Sequence, residues 1–485
     1  MGTRTNLTEE QYVQFSFLSE GQKRLIFSEV LEILQYTGAK IHHERARHLL
    51  KDNGCTVHGD RVYIPSQLVR AALRTIPPVT TIHRWDGSGK LRVEIGRTHF
   101  GPGPTCPNLI DPFDGTRRAY VKSDAGMVAR LCEALPEIGF VMSLGSISDV
   151  RAGLEDVHEF AEMIQNSSKP IIAWGHSIQG CKAIHAIAQA VSGGEEALRH
   201  RPSYIFYNEP ISPLSTDFQA TDKLMYCAEN GIPQIFAPAN SAGATVPATH
   251  AGHLVVTLAE SLLGVVLSQL AMPGACIIIG GTQSILDMHH GTFSYGAPEL
   301  SILSAGLAEL AEHIGLPVFT AAGCSDSKTL DEQAALESSL SIHSALLSAG
   351  TLVHDLGFLE SGMTGSLELL VLADEGISMA RHIVRGVDVT EDSLAEEAIR
   401  EAGPGGDYQG LEHTRSWRDT RWSASLFLPG SSEARDESVH KSFEDRVRQR
   451  TQAMLSQQSG KQVALPESAA EAIQTILEQL EAGRD

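Results

Sequence analysis

Polar and aromatic residues gather at recurrent points of this 485-residue chain, each just after a short apolar run. In order they are Ser143 and Ser146; Trp174 and His176; Tyr207, Asn208 and Glu209; Phe236 and Asn240; Thr282 and Gln283; Cys324, Asp326 and Lys328; and His354, Asp355, Phe358 and Glu360. Carboxylates and aromatic faces hold positive charge, while amides and imidazoles donate to an anionic end. Brought together, such groups suit a small cationic or zwitterionic ligand. Two metal readings compete with this one. Asp287-Met-His-His290 sets adjacent histidines in a Gly-flanked loop, and neighbouring histidines rarely ligate one ion together, so hydrogen bonding is their expected role. Cys324, His354 and Glu360 are donor types for a three-ligand zinc site, but their spacing does not enforce one. No metal is expected.

These residues need elements to aim them. Apolar runs recur at Thr98–Phe100, Phe140–Leu144, Pro170–Trp174, Tyr204–Tyr207, Gln234–Ala237, Cys276–Ile279, Val318–Thr320 and Leu352–His354. Between them lie helix-length segments closed by Gly or Pro, among them Ser123–Leu135, Glu155–Gln165, Ile178–Val191, His253–Leu270 and Asp331–Ser348. With Ser366–Val384 as an eighth helix, this alternation predicts an α/β fold, a (β/α)8 TIM barrel whose site opens at the C-terminal strand ends. A doubly wound open sheet is the rival, although no Gly-x-Gly-x-x-Gly and no Walker loop is present. Phe100-Gly-Pro-Gly-Pro104 resembles a phosphate loop, but its prolines remove backbone donors and leave a barrel-mouth turn. Residues 1–96 are expected to form an N-terminal helical cap with a small hairpin around Asp86-Gly-Ser-Gly89. Residues 97–386 are the barrel. Residues 387–485 form a helical appendage, including Glu433–Met454 and Ser468–Glu481, for packing, assembly or self-association.

Composition removes other classes. The 38 basic and 59 acidic residues give a formal charge of -21, which repels nucleic acid and anionic membranes. The seven scattered cysteines contain no Cys-x-x-Cys pair, the pattern of reduced thiols in a cytoplasmic protein. The polar N-terminal residues lack the apolar core of a signal peptide. Only Leu254–Met272 approaches a membrane span, and its Glu260 and Gln269 suit a buried core helix better.

Three stretches carry a resemblance: Ala321-Ala-Gly-Cys-Ser-Asp-Ser-Lys-Thr-Leu-Asp-Glu-Gln-Ala-Ala-Leu-Glu337, then His354-Asp-Leu-Gly-Phe-Leu-Glu-Ser-Gly362, and Asp111-Pro-Phe-Asp-Gly-Thr-Arg-Arg118. Together they resemble the trimethylamine–corrinoid methyltransferase superfamily over most of the chain. Glu412-His-Thr-Arg-Ser-Trp417 is similar to a degraded form of that family's His-rich tail. The resemblance implies a TIM barrel and a cognate corrinoid protein that brings the cobalamin, with no cofactor held stably by this chain. It also implies the branch without pyrrolysine, because only standard residues occur here. Members of that branch are implied to demethylate quaternary amines such as glycine betaine, the preferred expectation, proline betaine or carnitine. The same reaction on another quaternary amine and a non-catalytic ammonium-binding barrel are the alternatives. A quaternary nitrogen already carries positive charge, so its tertiary amine leaves neutral and needs no proton. On this reading Trp174, Tyr207, Phe236 and Phe358 cage the cation. His354, Asn208, Gln283 and His176 address the substrate carboxylate. His354, Asp326 and Glu360 are the expected catalytic residues.

Overall fold

The computed structural model describes residues 4–6, 11–12, 15–348, 350–427, 442–458, 463 and 465–483. Its centre is a seven-stranded, all-parallel sheet. The spatial order is Ile171–Trp174, Tyr204–Asn208, Gln234–Phe236, Ile277–Gly280, Val318–Ala321, Leu352–Leu356 and His99–Pro102. Strands such as Ile277-Ile-Ile-Gly280 are buried on both faces, as parallel strands covered by helices must be. The predicted strand around Phe140 takes a looser form. Phe100 makes a parallel bridge to Ile138, and Val141 makes one to Ile171, so this segment touches both edge strands of the sheet. Gly139 N donates to Phe100 O at 2.8 Å, and Val141 N to Pro170 O at 2.9 Å.

The helices fall where the alternation places them, and their ends follow local chemistry. Asp217 caps Phe218–Glu229 through Ala220 N at 2.6 Å, and Asp331 caps Glu332–Leu347 through Ala334 N at 2.9 Å. Gly193 and Gly315 end Ile178–Ser192 and Pro298–Ile314 in the left-handed conformation. The 22-residue His250–Ala271 helix is apolar enough to cross a membrane, but 83% of its most apolar stretch is buried in the protein. Its Leu258, Leu262 and Val266 share one core with Ile26, Val30 and Leu34 of the N-terminal region.

A second core fills the sheet interior: Phe140, Met142, Ile172, Ile205, Tyr207, Ile235, Ile278, Phe319 and Leu352. The hairpin Thr80–His83 with Lys90–Val93 adds Ile82, Leu91 and Val93 to it. His83 N bonds Pro202 O, and Trp85 N bonds Ser168 O, both just before strands begin. The hairpin therefore plugs the N-terminal end, leaving the strands' C-terminal ends for a site. Near the C-terminus, Phe443–Gln458 and Glu467–Glu481 bury Val447, Leu455, Ile473 and Leu477 in the outer helix core. Residues 433–441 of the expected Glu433–Met454 helix lie outside the described residues.

Candidate functional site

Successive strand residues face opposite sides, and that parity decides which predicted residues reach the interior. On Tyr204–Asn208, Ile205 and Tyr207 belong to the interior core, so Asn208 faces the helices. Asn208 Nδ2 donates to Gln234 Oε1 at 3.3 Å. On the next strand Ile235 points inward, and Phe236 packs outward against Gly264 of His250–Ala271. Gln283 likewise turns outward, its Nε2 3.4 Å from Leu303 O, while Thr282 turns in. Phe236, Asn208 and Gln283 are thus corrected from site residues to residues of the strand–helix interface.

The interior faces form one cluster. His354, 2% exposed, stacks on Phe319 with centroids 3.9 Å apart and planes at 1°. Tyr207 is tilted against both, 5.2 Å from Phe319 and 6.3 Å from His354. His354 Nδ1 lies 2.6 Å from Asp355 Oδ1, and Nε2 lies 3.2 Å from Thr282 Oγ1. A carboxylate only accepts, so the Nδ1 hydrogen is assigned toward Asp355, and Nε2 is left facing the Thr282 hydroxyl. Parity alone would turn Asp355 outward. Its φ of 71° breaks the strand geometry and brings the carboxylate beside the imidazole.

Two glycines make room for this arrangement. A Cβ on Gly103 would fall 2.8 Å from Phe358 Cε1 and closer still to Asp355 Oδ1. A Cβ on Gly101 would fall 2.8 Å from Phe140 Cζ. The Gly101-Pro-Gly-Pro104 turn therefore exists for close packing, not for phosphate. Asp355 is 1% exposed, and its Oδ2 has no hydrogen-bond partner among the described residues. Burial, aided by the Asp355 charge, pushes the Tyr295 phenol well above its ordinary range.

Glu209 follows Tyr207 by two positions, so parity turns it to the same side. Tyr207 Oη donates to Glu209 Oε2 at 3.3 Å. Glu209 is exposed at the exit of the strand, with protein packed closely around its carboxyl. That enclosure raises its carboxyl above the ordinary value, opposed by the Tyr207 bond. Trp174 packs against the interior core, and its Nε1 donates to Glu159 Oε2 at 3.1 Å. His176 lies exposed at the rim, edge-on to Trp174 at 4.5 Å.

The remaining expected residues hold the mouth together. Asp326 accepts from Tyr295 N and Ser361 Oγ, each at 2.8 Å, and from Ser294 Oγ. It clamps the loops that follow three different strands. Glu360 pairs with Arg117 at 2.9 Å and accepts from Thr364 Oγ1 at 2.7 Å; these contacts hold its carboxyl below the ordinary value. Asp326 and Glu360 are accordingly rim residues, apart from His354. Phe358, 1% exposed, sits edge-on to Tyr295 at 5.8 Å and offers no free face. Arg118, in the 111–118 stretch, grips Asp124 at 2.6 and 2.8 Å and Asp111 at 3.0 Å. Cys324 is buried, 3.9 Å from Tyr295 O. His290 pairs with Asp287 at 2.6 Å on an exposed loop. Among the described residues, no group of three His, Cys, Asp or Glu is placed to hold a metal.

The trimethylamine methyltransferase (MTTB) family model matches residues 3–483. A Desulfitobacterium hafniense protein named trimethylamine methyltransferase MttB is 29% identical over 468 residues, covering 96% of this chain and 93% of the relative. A second protein of that species, named glycine betaine methyltransferase, is 30% identical over 406 residues, covering 83% and 84%. Trimethylamine methyltransferase MttB of Methanosarcina barkeri is 32% identical over 414 residues, covering 84% of each chain.

Proposed function

The chain belongs to the trimethylamine methyltransferase (MTTB) family, and from that premise we propose that it transfers a methyl group from a quaternary amine, glycine betaine by preference, to the Co(I) corrinoid of a partner protein. One observation carries the reading. The Tyr207 and His354 rings lie 6.3 Å apart, Phe319 stacks behind the imidazole at 3.9 Å, and the Glu209 and Asp355 carboxyls adjoin them. Electron-rich faces and acids on one lumen favour a compact organic cation.

In the transfer, one N–CH3 bond breaks and its electron pair stays on nitrogen. The methyl passes to the corrinoid, and dimethylglycine leaves neutral at nitrogen. No proton is needed there, which suits a chain built only from the twenty standard residues. The cation's charge fades toward the transition state, so tight pairing to an ionised carboxylate would favour the ground state. Aromatic faces contribute about 0.5–2 kcal/mol each without that penalty. Their enclosure also excludes water and aligns the methyl. The Thr282 hydroxyl, turned away from His354 Nε2, is the donor to the substrate carboxylate, with His354 and Asp355 fixing its surroundings.

The single bridges at Ile138 and Val141 support reading the sheet as an eight-stranded closed barrel. Around it we divide the chain into a cap over 1–96, a catalytic unit over 97–386 and an appendage over 387–485, in a cytoplasmic protein. To test the function, the enzyme is mixed with a reduced corrinoid protein and a panel of glycine betaine, proline betaine, carnitine and trimethylamine. Conversion of the Co(I) spectrum with glycine betaine is expected. Turnover of trimethylamine alone, or of none with a competent partner, overturns the proposal.

A further inference from the structure

Glu159 stands behind the lumen wall, on the Glu155–Asn166 helix, and is 1% exposed. Among the described residues no Lys, Arg or His pairs with it within 4.0 Å, so its burial is not compensated by a countercharge. Burial raises its carboxyl to about 8. A buried acid of this kind costs stability, and an apolar residue would pack the position more cheaply. What it gains is two bonds to consecutive strand exits. Ile147 N donates to Oε1 at 3.1 Å, and Trp174 Nε1 donates to Oε2 at 3.1 Å.

The surroundings divide the work. Asp156, one turn earlier on the same helix, accepts His176 N at 3.0 Å, and Lys223 Nζ caps Gly175 O. Those two hold the backbone of the loop. Of these three, Glu159 alone bonds the indole N–H, and the apolar body of that ring packs into the interior core. We infer that Glu159 is a positioning residue for substrate: by gripping the indole N–H it fixes Trp174 as the wall against which a quaternary ammonium group lies. The inference rests on the proposed function, which takes Trp174 as part of that wall.

The test measures glycine betaine binding to the full chain by calorimetry in Trp174→Phe, Glu159→Met, Glu159→Gln, Glu159→Asp and the double variant Trp174→Phe with Glu159→Met. Trp174→Phe should weaken binding roughly 2- to 30-fold, the range of one aromatic–cation contact. Glu159→Met should weaken it comparably. Glu159→Asp, one methylene too short to reach the indole, should do so while keeping a carboxyl, and it serves should the Met variant fail to fold. Glu159→Gln keeps one carbonyl acceptor of the same reach while its amide NH2 faces the second donor, so it should weaken binding less than Glu159→Met does. The double variant should bind no more weakly than Trp174→Phe, because Glu159 acts through that ring. Additive losses, or undiminished binding in both Glu159→Met and Glu159→Asp while Trp174→Phe is weakened, overturn the assignment. Undiminished binding in Trp174→Phe instead overturns the wall reading on which it rests.

Discussion

Replacing Gly103 by alanine should disable the site with a stability loss no larger than an ordinary core overpacking. The added Cβ would lie 2.8 Å from Phe358 Cε1 and closer to Asp355 Oδ1, inside distances that real Cβ atoms show. Phe358 and Asp355 are both 1% exposed, and the Asp355 carboxylate, the nearer to the new Cβ, must yield by roughly 0.5–1 Å. Its bond to His354 Nδ1 starts at 2.6 Å, and a displacement of about 1 Å, the upper end of that range, takes it past useful hydrogen-bond length. The expected cost in stability is about 1–3 kcal/mol. A positioning error near 1 Å costs on the order of 100-fold in rate. Gly101→Ala is the control, since its Cβ would fall 2.8 Å from Phe140 Cζ and closer to Cε2 and Cδ2 of that ring, in the core and away from the dyad. Thermal unfolding and methyl transfer would be measured for both. Comparable drops in Tm, with kcat lost only in Gly103→Ala, are expected. If the two variants lose activity equally, or Gly103→Ala stays fully active, the argument that this turn exists to seat Asp355 fails.

Other outcomes follow from the same geometry. Thr282→Val removes the hydroxyl 3.2 Å from His354 Nε2, and a loss of about 0.5–1.5 kcal/mol should appear as a 2- to 12-fold lower kcat/KM. His354→Ala and Asp326→Ala should separate function from support: both lower Tm, but the first abolishes transfer, whereas the second weakens substrate binding by freeing the 294–295 and 361 loops and leaves kcat measurable. Equal retention of kcat in both would contradict the division of roles. Glu159 supplies a pH test. Its carboxyl titrates near 4.5 in the unfolded chain and at about 8 in the fold, so from about pH 4.5 to 8 folding takes up a proton. Stability therefore falls as pH rises through that window, by up to about 5 kcal/mol, and levels off above 8. Glu159→Gln has no such proton, so its Tm advantage over the parent should widen from pH 5 to 8 and then stay constant. A gap independent of pH would remove the buried, uncompensated acid from the account.

How far the sequence carries is clearest residue by residue. Helix ends were legible because caps are local: Asp217, Asp331, Gly193 and Gly315 stop or start helices where their chemistry dictates. Strand positions were legible from apolar runs between helix-length gaps, with the Phe140 run giving only single bridges to its neighbours. Facing was the weak link. Counting residues at strand ends without parity placed Asn208, Phe236 and Gln283 in the lumen, although their neighbours Tyr207, Ile235 and Thr282 occupy it. The same parity, applied outward from Tyr207, would have selected Glu209. Asp355 escapes the rule through a left-handed backbone that no local pattern announces. Tyr295 and Glu159 were out of reach for another reason. Each enters through tertiary contacts: Tyr295 through the Asp326 clamp, and Glu159 through a helix face that meets the next strand's exit.

Two helix carboxylates, the buried Glu260 and the half-buried Glu337, tie down loops near the strand exits. Glu260 accepts from Leu214 N at 2.6 Å, Ser212 Oγ at 2.8 Å and Asn240 Nδ2 at 3.0 Å. Glu337 accepts from Ser325 Oγ at 2.6 Å and Asp326 N at 3.0 Å. Part of the chain's acidic excess thus ties loops to the helix layer around the strand exits.

The most direct test of the central claim follows one labelled carbon. Glycine betaine carrying 13C in its N-methyl groups is incubated with the enzyme and a reduced corrinoid protein, and products are read by NMR. The account predicts one labelled methyl on the corrinoid for each dimethylglycine formed, and neither product with His354→Ala. Binding of betaine without methyl transfer to a competent corrinoid protein, or dimethylglycine formed without label on the corrinoid, would contradict it.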